Sequence, residues 1–402
     1  MSTLKEFLNK ECPDGVEYVP LWSVTIWDKK FNSVDKDKQK TIIKYKYYLA
    51  DELKQLVVEN GNVKILTTNI SNLFTLEKLV SNSLSYGEIV CIPWGGNPIV
   101  QYYKGKFITS DNRIATSIDV NKLDNKFLYY VLINKLDLIS SFYRGAGIKH
   151  PDMSKVLDII IPLPPIEVQK EIVRILDEFT EKTTKLQELL HRETILRKKQ
   201  YEYYRDKLLT FAEGTQPCGD EVEWKSICDF SNIIAGGDVP KNNFSKEKTT
   251  KYNIPIISNG IGANALYGYT NIIKIDKPSI SLSARGTIGH CIYHEKPFYP
   301  IVRLICITPN NDCNAKFLKY YFETIKFHIP KTGIPQLTIP MVKDIKIPLP
   351  PLEEQERIVN ILDKFDALCN DITKGLPAEI EMRKKQYEYY RDKLLTFKEK
   401  KK

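Results

Sequence analysis

Two kinds of hydrophobic pattern alternate along this chain. In the first, short apolar runs such as GEIVCIPW, PIVQYYKGKFIT, NIPIIS and PIVRLICITP are broken by Gly, Pro and Asn. That pattern predicts strands joined by turns. In the second, apolar residues recur at steps of three and four. They are Ile172, Ile175, Leu176, Phe179, Leu186, Leu189 and Leu190, then Ile358, Ile361, Leu362, Phe365, Leu368 and Ile372. This spacing predicts long helices carrying a coiled-coil stripe. Each helical stretch follows an apolar run closed by prolines, IIPLPP from Ile160 and IPLPP from Ile347. Proline is tolerated in the first turn of a helix, and the residue before it prefers an extended backbone. Glu167 and Glu171 follow in one stretch, and Glu353, Glu354 and Glu356 in the other. Negative charge there suits a helix N-terminus.

The two helical stretches are copies of one unit. RKKQYEYYRDKLLTF runs from Arg197 to Phe211 and returns unchanged from Arg383 to Phe397, a shift of 186 residues. The shift holds backwards: Pro162 pairs with Pro348, Gln169 with Gln355, Leu176 with Leu362 and Phe179 with Phe365. In the second copy Gly375-Leu376-Pro377 is expected to break or re-cap the helix, whereas Leu189-Leu190-His191 lets the first run through. A helix of about forty-five residues would be ~65 Å long. Within the repeated segment Tyr201, Tyr204, Leu208 and Phe211 share one face, and Arg197, Lys198, Arg205 and Lys207 keep much of the remainder basic. A helical hairpin accounts for the stripe. It does not require fifteen identical residues, charges included, and that identity suggests one partner met twice.

The blocks between the repeats are β-rich and weakly alike. CPDGVEYVPLWSVTI resembles CGDEVEWKSICDFSNI, and NKFLYYVLINKL resembles AKFLKYYFETIKF, a short amphipathic helix in each. GAGIKHPDMSKVLDIIIPLPP resembles KTGIPQLTIPMVKDIKIPLPP. The chain therefore reads as variable domain then helix, twice: residues 1–160, 161–211, 212–347 and 348–402, an α+β protein. The loop Ala212 to Glu221 is the expected boundary between halves, and the lysine-rich tail from Lys398 to Lys402 is expected to be disordered.

Composition changes this picture little. Apolar residues make up 42% and charged residues 27%, an ordinary globular balance. The net charge of +9 leans toward an anionic partner such as nucleic acid without requiring one. No apolar run reaches the roughly 18 residues of a membrane span, and MSTLKEFLNKECPDG has no apolar signal core, so a cytoplasmic protein is expected. The eight cysteines form no C-x-x-C pair and read as buried, reduced thiols.

Catalytic motifs are missing. GIGANA, Gly260 to Ala265, fits a dinucleotide or S-adenosylmethionine turn only if a helix follows, and the strand-like LYGYTNIIKI follows instead. There is no P-loop and no N-P-P-[FYW] or D-P-P-Y tetrad. His290, Cys291 and His294 lack a second ligand pair, and strand residues explain them better than a metal site.

The duplicated I-P-L-P-P-[IL]-E-x-Q-x-x-I-V-x-I-L-D-x-F block and the two RKKQYEYYRDKLLTF ends resemble the conserved helical regions of Type I restriction–modification specificity subunits. SARGTIG, Ser283 to Gly289, resembles their recognition-domain signatures, and the likeness spans essentially the whole chain. The resemblance implies two target-recognition domains joined by two long antiparallel helices about a pseudo-two-fold axis. Each domain would read one half of a bipartite, asymmetric double-stranded DNA site. The helices would set the spacing and dock two adenine methyltransferase subunits, and through them ATP-driven restriction/translocase subunits. This chain would be non-catalytic, with S-adenosylmethionine, ATP and Mg held by the partners. A helical adaptor without sequence reading, and a self-sufficient methyltransferase or nuclease, are the competing readings.

Base edges are read chiefly by Arg, Lys, Asn and Gln, less exactingly by Ser and Thr. The first domain offers Lys44, Lys46, Asn69, Trp94, Asn97, Arg144, Lys149 and His150. The second offers Lys241, Asn243, Ser258, Asn259, Arg285, Lys331 and Gln336. Each could equally be a solvated surface residue or a turn former, as Asn259 between Ser258 and Gly260 could. Gly147 and Gly333 are expected to form turns beside them. Partner docking would use Tyr201, Tyr204, Leu208 and Phe211 with Tyr387, Tyr390, Leu394 and Phe397, unless these residues only zip the helices together.

Overall fold

The computed structural model describes residues 10–211, 222–327, 335–370 and 376–400. The boundary loop Ala212 to Glu221, Lys331, Gly333 and Ile372 lie outside the described residues. The chain folds as two compact units: Met1–Gln187 with Met382–Lys402, and Glu188–Glu381.

The first unit is built on β1 (Glu17–Pro20), β2 (Thr25–Trp27), β3 (Val63–Leu66), β4 (Phe74–Thr75), β5 (Ser85–Pro93), β6 (Gln101–Thr109) and β7 (Asn112–Ser117). The last six form one sheet in the order β2-β7-β5-β6-β3-β4, with only the β3–β6 pair parallel. Helix α1 (Asn125–Asn134) lies on this sheet, with Phe127, Leu128 and Val131 buried in the core. A short hairpin, β8 (Tyr143–Arg144) with β9 (His150–Pro151), leads to β10 (Ile160–Leu163), which pairs antiparallel with β1.

The second unit repeats the plan. It contains β11 (Glu223–Ser226), β12 (Ser231–Ala235), β13 (Ile254–Ile257), β14 (Leu266–Thr270), β15 (Ser279–Ser283), β16 (Cys291–His294), β17 (Tyr299–Pro300), β18 (Leu304–Pro309) and β19 (Lys346–Leu349). They form sheets β12-β18-β15-β16 and β14-β13-β17, and β11 pairs with β19 as β1 does with β10. After GIGANA no helix follows: a 3-10 turn at Gly262–Ala265 runs into β14, the start of LYGYTNIIKI.

The proline-closed runs are β10 and β19, and each enters a helix. α2 spans Ile166–Leu208, 43 residues without a break. α3 is Ala315–Phe322, the counterpart of α1, and the described residues of the second repeat contain α4 (Leu352–Asn370) and α5 (Leu376–Leu394), the expected break at Gly375 lying outside the described residues. Pro165 O accepts the N–H groups of Val168 and Gln169, and Pro351 O those of Glu354 and Gln355. The helix starts are thus fixed where the prolines stand.

Each unit contains its own antiparallel helix pair. In the first, Val168, Ile172 and Leu176 of α2 share a core with Leu394 and Leu395, and the Phe179 ring lies 5.5 Å from that of Tyr390. In the second, Ile358, Val359 and Leu362 of α4 meet Leu209 and Phe211, and Tyr204 stacks on Phe365 at 5.6 Å. Residues 204 and 390, and 179 and 365, are related by the 186-residue shift.

Three expectations need correction. Leu189 and Leu368 belong to the apolar spacing yet are 52% and 39% exposed. Of the adjacent pair, Leu189 stands outward and Leu190 is half-buried. The tail is ordered from Lys398 to Lys400: Val16 N–H donates to Lys398 O at 2.8 Å and Lys400 N–H to Val16 O at 2.9 Å. Backbone pairing there outweighs the repulsion among the lysines. Among the described cysteines Cys228 is exposed, although Cys91, Cys291, Cys306 and Cys313 are buried free thiols.

Candidate nucleic-acid interface

In the first unit the residues that follow β5 are clipped in place from three sides. Trp94 N–H donates to Asp111 O at 2.9 Å, and Trp94 O accepts from His150 Nδ1 at 2.8 Å. Gly96 N–H donates to Lys149 O at 3.1 Å. Thr67 O accepts from Gln101 Nε2 and Asn112 Nδ2, and Thr67 Oγ1 donates to Asn69 O at 2.6 Å. These bonds gather Asn69, Trp94, Lys149 and His150 into one loop cluster. Arg144, opposite His150 in the hairpin, and Asn97 are exposed beside them.

The hairpin tip turns on Gly145 (φ +144°), where a Cβ would lie 2.6 Å from Ile148 O. Gly147 has no such constraint, so the turn glycine is two residues earlier than the sequence suggests.

A buried arginine, missed in the sequence, supports the cluster. Arg113 is 2% exposed, its Nη1 lies 3.2 Å from Asp28 Oδ2, and its Nη2 pairs with Asp111. Its guanidinium lies over Trp94 at 4.5 Å and Tyr47 at 5.8 Å. Tyr47 in turn donates to Asp28, which also accepts Ile114 N–H at 2.8 Å. Burial pushes the Asp28 carboxyl upward, while Tyr47, Ile114 N–H and Arg113 oppose it. Exposed Lys44 and Lys46 flank this anchor. The signal available was a charged residue inside the strand NRIATS, which demands a buried partner.

The second unit builds an equivalent cluster with different side chains. After β15, Leu337 N–H donates to Ala284 O at 2.9 Å, and Arg285 Nε donates to Gln336 Oε1 at 2.9 Å. Asn259 Nδ2 donates to Arg285 O at 2.9 Å, and its own carbonyl faces the hydroxyls of Ser283 and Thr287. Ser258 Oγ donates to Ala265 O at 3.2 Å. So Ser258, Asn259, Arg285 and Gln336 come together, with Asn259 acting as a clip between loops. Lys241 and Asn243 stand on another turn, whose neighbour Phe244 lies 5.8 Å from Tyr267. Cys291 and His294 are strand residues: His294 Nε2 bonds Ser281 Oγ at 2.8 Å, and burial lowers its pKa to about 4.

The docking candidates pack on the helices, although Tyr204 stays 37% exposed. Phe211 and Leu394 are each 8% exposed, and Tyr201 donates to Glu323 at 2.9 Å. Tyr204, Leu208, Tyr387, Tyr390 and Phe397 pack against their own unit's helices and core. The zipping role therefore accounts for their contacts. What the two copies turn outward is Tyr203 and Tyr389, 61% and 60% exposed, with Lys198, Lys199, Lys384 and Lys385.

No helix among the described residues is long and apolar enough to cross a membrane. The family pattern described as the Type I restriction modification DNA specificity domain matches residues 33–195 and again 219–382. A Haemophilus influenzae protein assigned as a Type I restriction enzyme specificity subunit is 35% identical over 360 residues, covering 84% of this chain and 89% of its own. The specificity subunit of an Escherichia coli Type I restriction enzyme is 36% identical over 325 residues, covering 72% and 75%. The crystal structure of a Type I specificity subunit from M. genitalium superposes with a TM-score of 0.52 at 19% identity, covering 95% of this chain and 96% of that one. A chain from a structure of a Type I restriction–modification assembly gives 0.62 at 17% identity, covering 96% and 98%. These last two speak for the fold alone, whereas the doubled family pattern spans most of the sequence. The chain belongs to the DNA specificity subunits of Type I restriction–modification systems.

Proposed function

We propose that each unit reads one half of a bipartite, asymmetric double-stranded DNA site. The observation that carries this reading is the pair of equivalent loop clusters. Both follow the same strand of a repeated plan and both are clipped by the same returning segment, yet one presents Trp94, Lys149 and His150 and the other Asn259, Arg285 and Gln336. Equivalent scaffolds with unlike side chains suit two different half-sites, because phosphate contacts position a protein and base contacts specify. In this reading the helices act as spacer, and two methyltransferase subunits dock on them and carry the restriction subunits. The chain is non-catalytic and cytoplasmic, while S-adenosylmethionine, ATP and Mg belong to its partners.

The outward faces of the two repeats are the docking surface, centred on Tyr203 and Tyr389. Aromatic side chains with two torsions make such contacts at low entropic cost. The test is the stoichiometry of the purified complex. Wild type should carry two methyltransferase subunits, Tyr203→Ala or Tyr389→Ala should weaken one, and the double substitution both. Two subunits bound at full strength by the double variant would place the docking surface elsewhere.

A further inference from the structure

The turn Pro300–Arg303 sits at the centre of the second unit's loops. Ile301 N–H donates to Ile257 O at 3.0 Å, next to Ser258. Val302 N–H donates to Gly237 O at 2.8 Å, and Gly237 N–H returns to Pro300 O at 3.1 Å, on the segment leading to Lys241. Ala284 N–H donates to Arg303 O at 2.7 Å, immediately before Arg285. One turn thus ties together the segments that lead to Lys241, Ser258, Asn259 and Arg285.

At the end of that turn Arg303 has φ +76°. This is the left-handed region, which a residue with a Cβ enters at a cost and glycine does not. Among the described residues the only other non-glycine with positive φ is Asn60, a type that tolerates it. Such strain persists where the surroundings over-determine it, and it concentrates at functional sites. The bonds to Ala284, Ile257 and Gly237 supply the over-determination. They explain the backbone, but not why an arginine stands where glycine would be relaxed.

The side chain is exposed and, among the described residues, makes no hydrogen bond or ion pair. Its neighbour Arg285 is already held by Gln336. In the first unit the equivalent turn has Ser110 N–H on Leu66 O and Trp94 N–H on Asp111 O. The matching residue there is Asp111, which is engaged with Arg113. The central position therefore carries opposite charge in the two units.

We propose that Arg303 is a base-reading residue of the second recognition domain, its guanidinium donating to the O6 and N7 edge of a guanine in that half-site. This rests on the reading of the units as half-site readers. Arginine is the side chain whose planar fork matches that edge.

The test uses the full chain assembled with its methyltransferase subunits and duplexes bearing the mapped target. Arg303→Gly relaxes the backbone, so its thermal midpoint should equal or exceed that of wild type. Its affinity should nevertheless fall by about tenfold to a hundredfold, with discrimination lost at one G·C pair of one half-site. Arg303→Lys should keep non-specific binding and lose the same discrimination. Discrimination at the other half-site should survive in both. Wild-type discrimination by either variant would overturn the assignment, Arg303→Lys deciding alone if Arg303→Gly lowers the midpoint. A wild-type complex with no preference among duplexes would instead overturn the half-site reading, and this assignment with it.

Discussion

At the scale of single residues, a buried ion pair underlies the first recognition unit and a half-buried histidine stands in the second. Arg113 and Asp28 form an ion pair with side chains 2% and 0% exposed. Removing one partner of such a pair leaves an uncompensated buried charge, which costs about 3–5 kcal/mol. Asp28→Ala should lose that much in denaturant unfolding, and lower affinity for one half-site more than the other, since Trp94 rests on the Arg113 guanidinium. A loss below about 1 kcal/mol would show that the pair is not a keystone. His294 provides a pH signature. Its pKa is lowered from 6.5 to about 4 by burial, so its contribution is complete above pH 6.5 and is lost as pH falls through 4. Wild type should be destabilised over that window by on the order of 2 kcal/mol more than His294→Gln, the ring keeping some solvent contact. Parallel pH curves for the two proteins would exclude it.

At the scale of elements, the same clamp fastens each helix to its recognition domain. Gln169 Oε1 accepts Asp124 N–H at 2.9 Å, and Nε2 donates to Lys122 O and Pro164 O. Gln355 does the same with Asn314, Asp312 and Pro350. Asp124 and Asn314 are the N-caps of α1 and α3, so one amide orients two helices at once. Asp177 with Lys126 and Tyr130, and Asp363 with Lys316 and Tyr320, add a second tie. Gln169→Ala strands one buried and two part-buried backbone groups and should cost about 2–3 kcal/mol, read from chemical denaturation, with Gln355→Ala equal to it. Unequal losses would mean the two clamps are not alike.

The helices, their proline starts and the doubled plan were legible because they lie in period and repetition. The pairing of Gln169 with Gln355 was visible too. Its role was not, because the partners are backbone groups of the variable blocks. The loop clusters were legible in residue type only. Which candidates meet depends on hydrogen bonds between segments far apart in sequence, such as Thr67 with Asn112 and Trp94 with His150. The inward turn of Phe211 and Leu394 was open for a related reason. A helix face shows what it can bury, not which surface buries it.

At the scale of the whole molecule, the proposed role is that this chain gives a shared methylating partner its target. With a net charge of +9, binding should weaken steeply as salt rises. The most direct measurement is a methylation map. The chain is expressed with its methyltransferase subunit in a host without DNA methylation, and the genome is sequenced for modified adenine, with the chain omitted in the control. The account predicts a split asymmetric motif present only with the chain, its half-sites about one helical turn apart. Methylation at the same sites without the chain, or none from a complex shown to assemble, would contradict it.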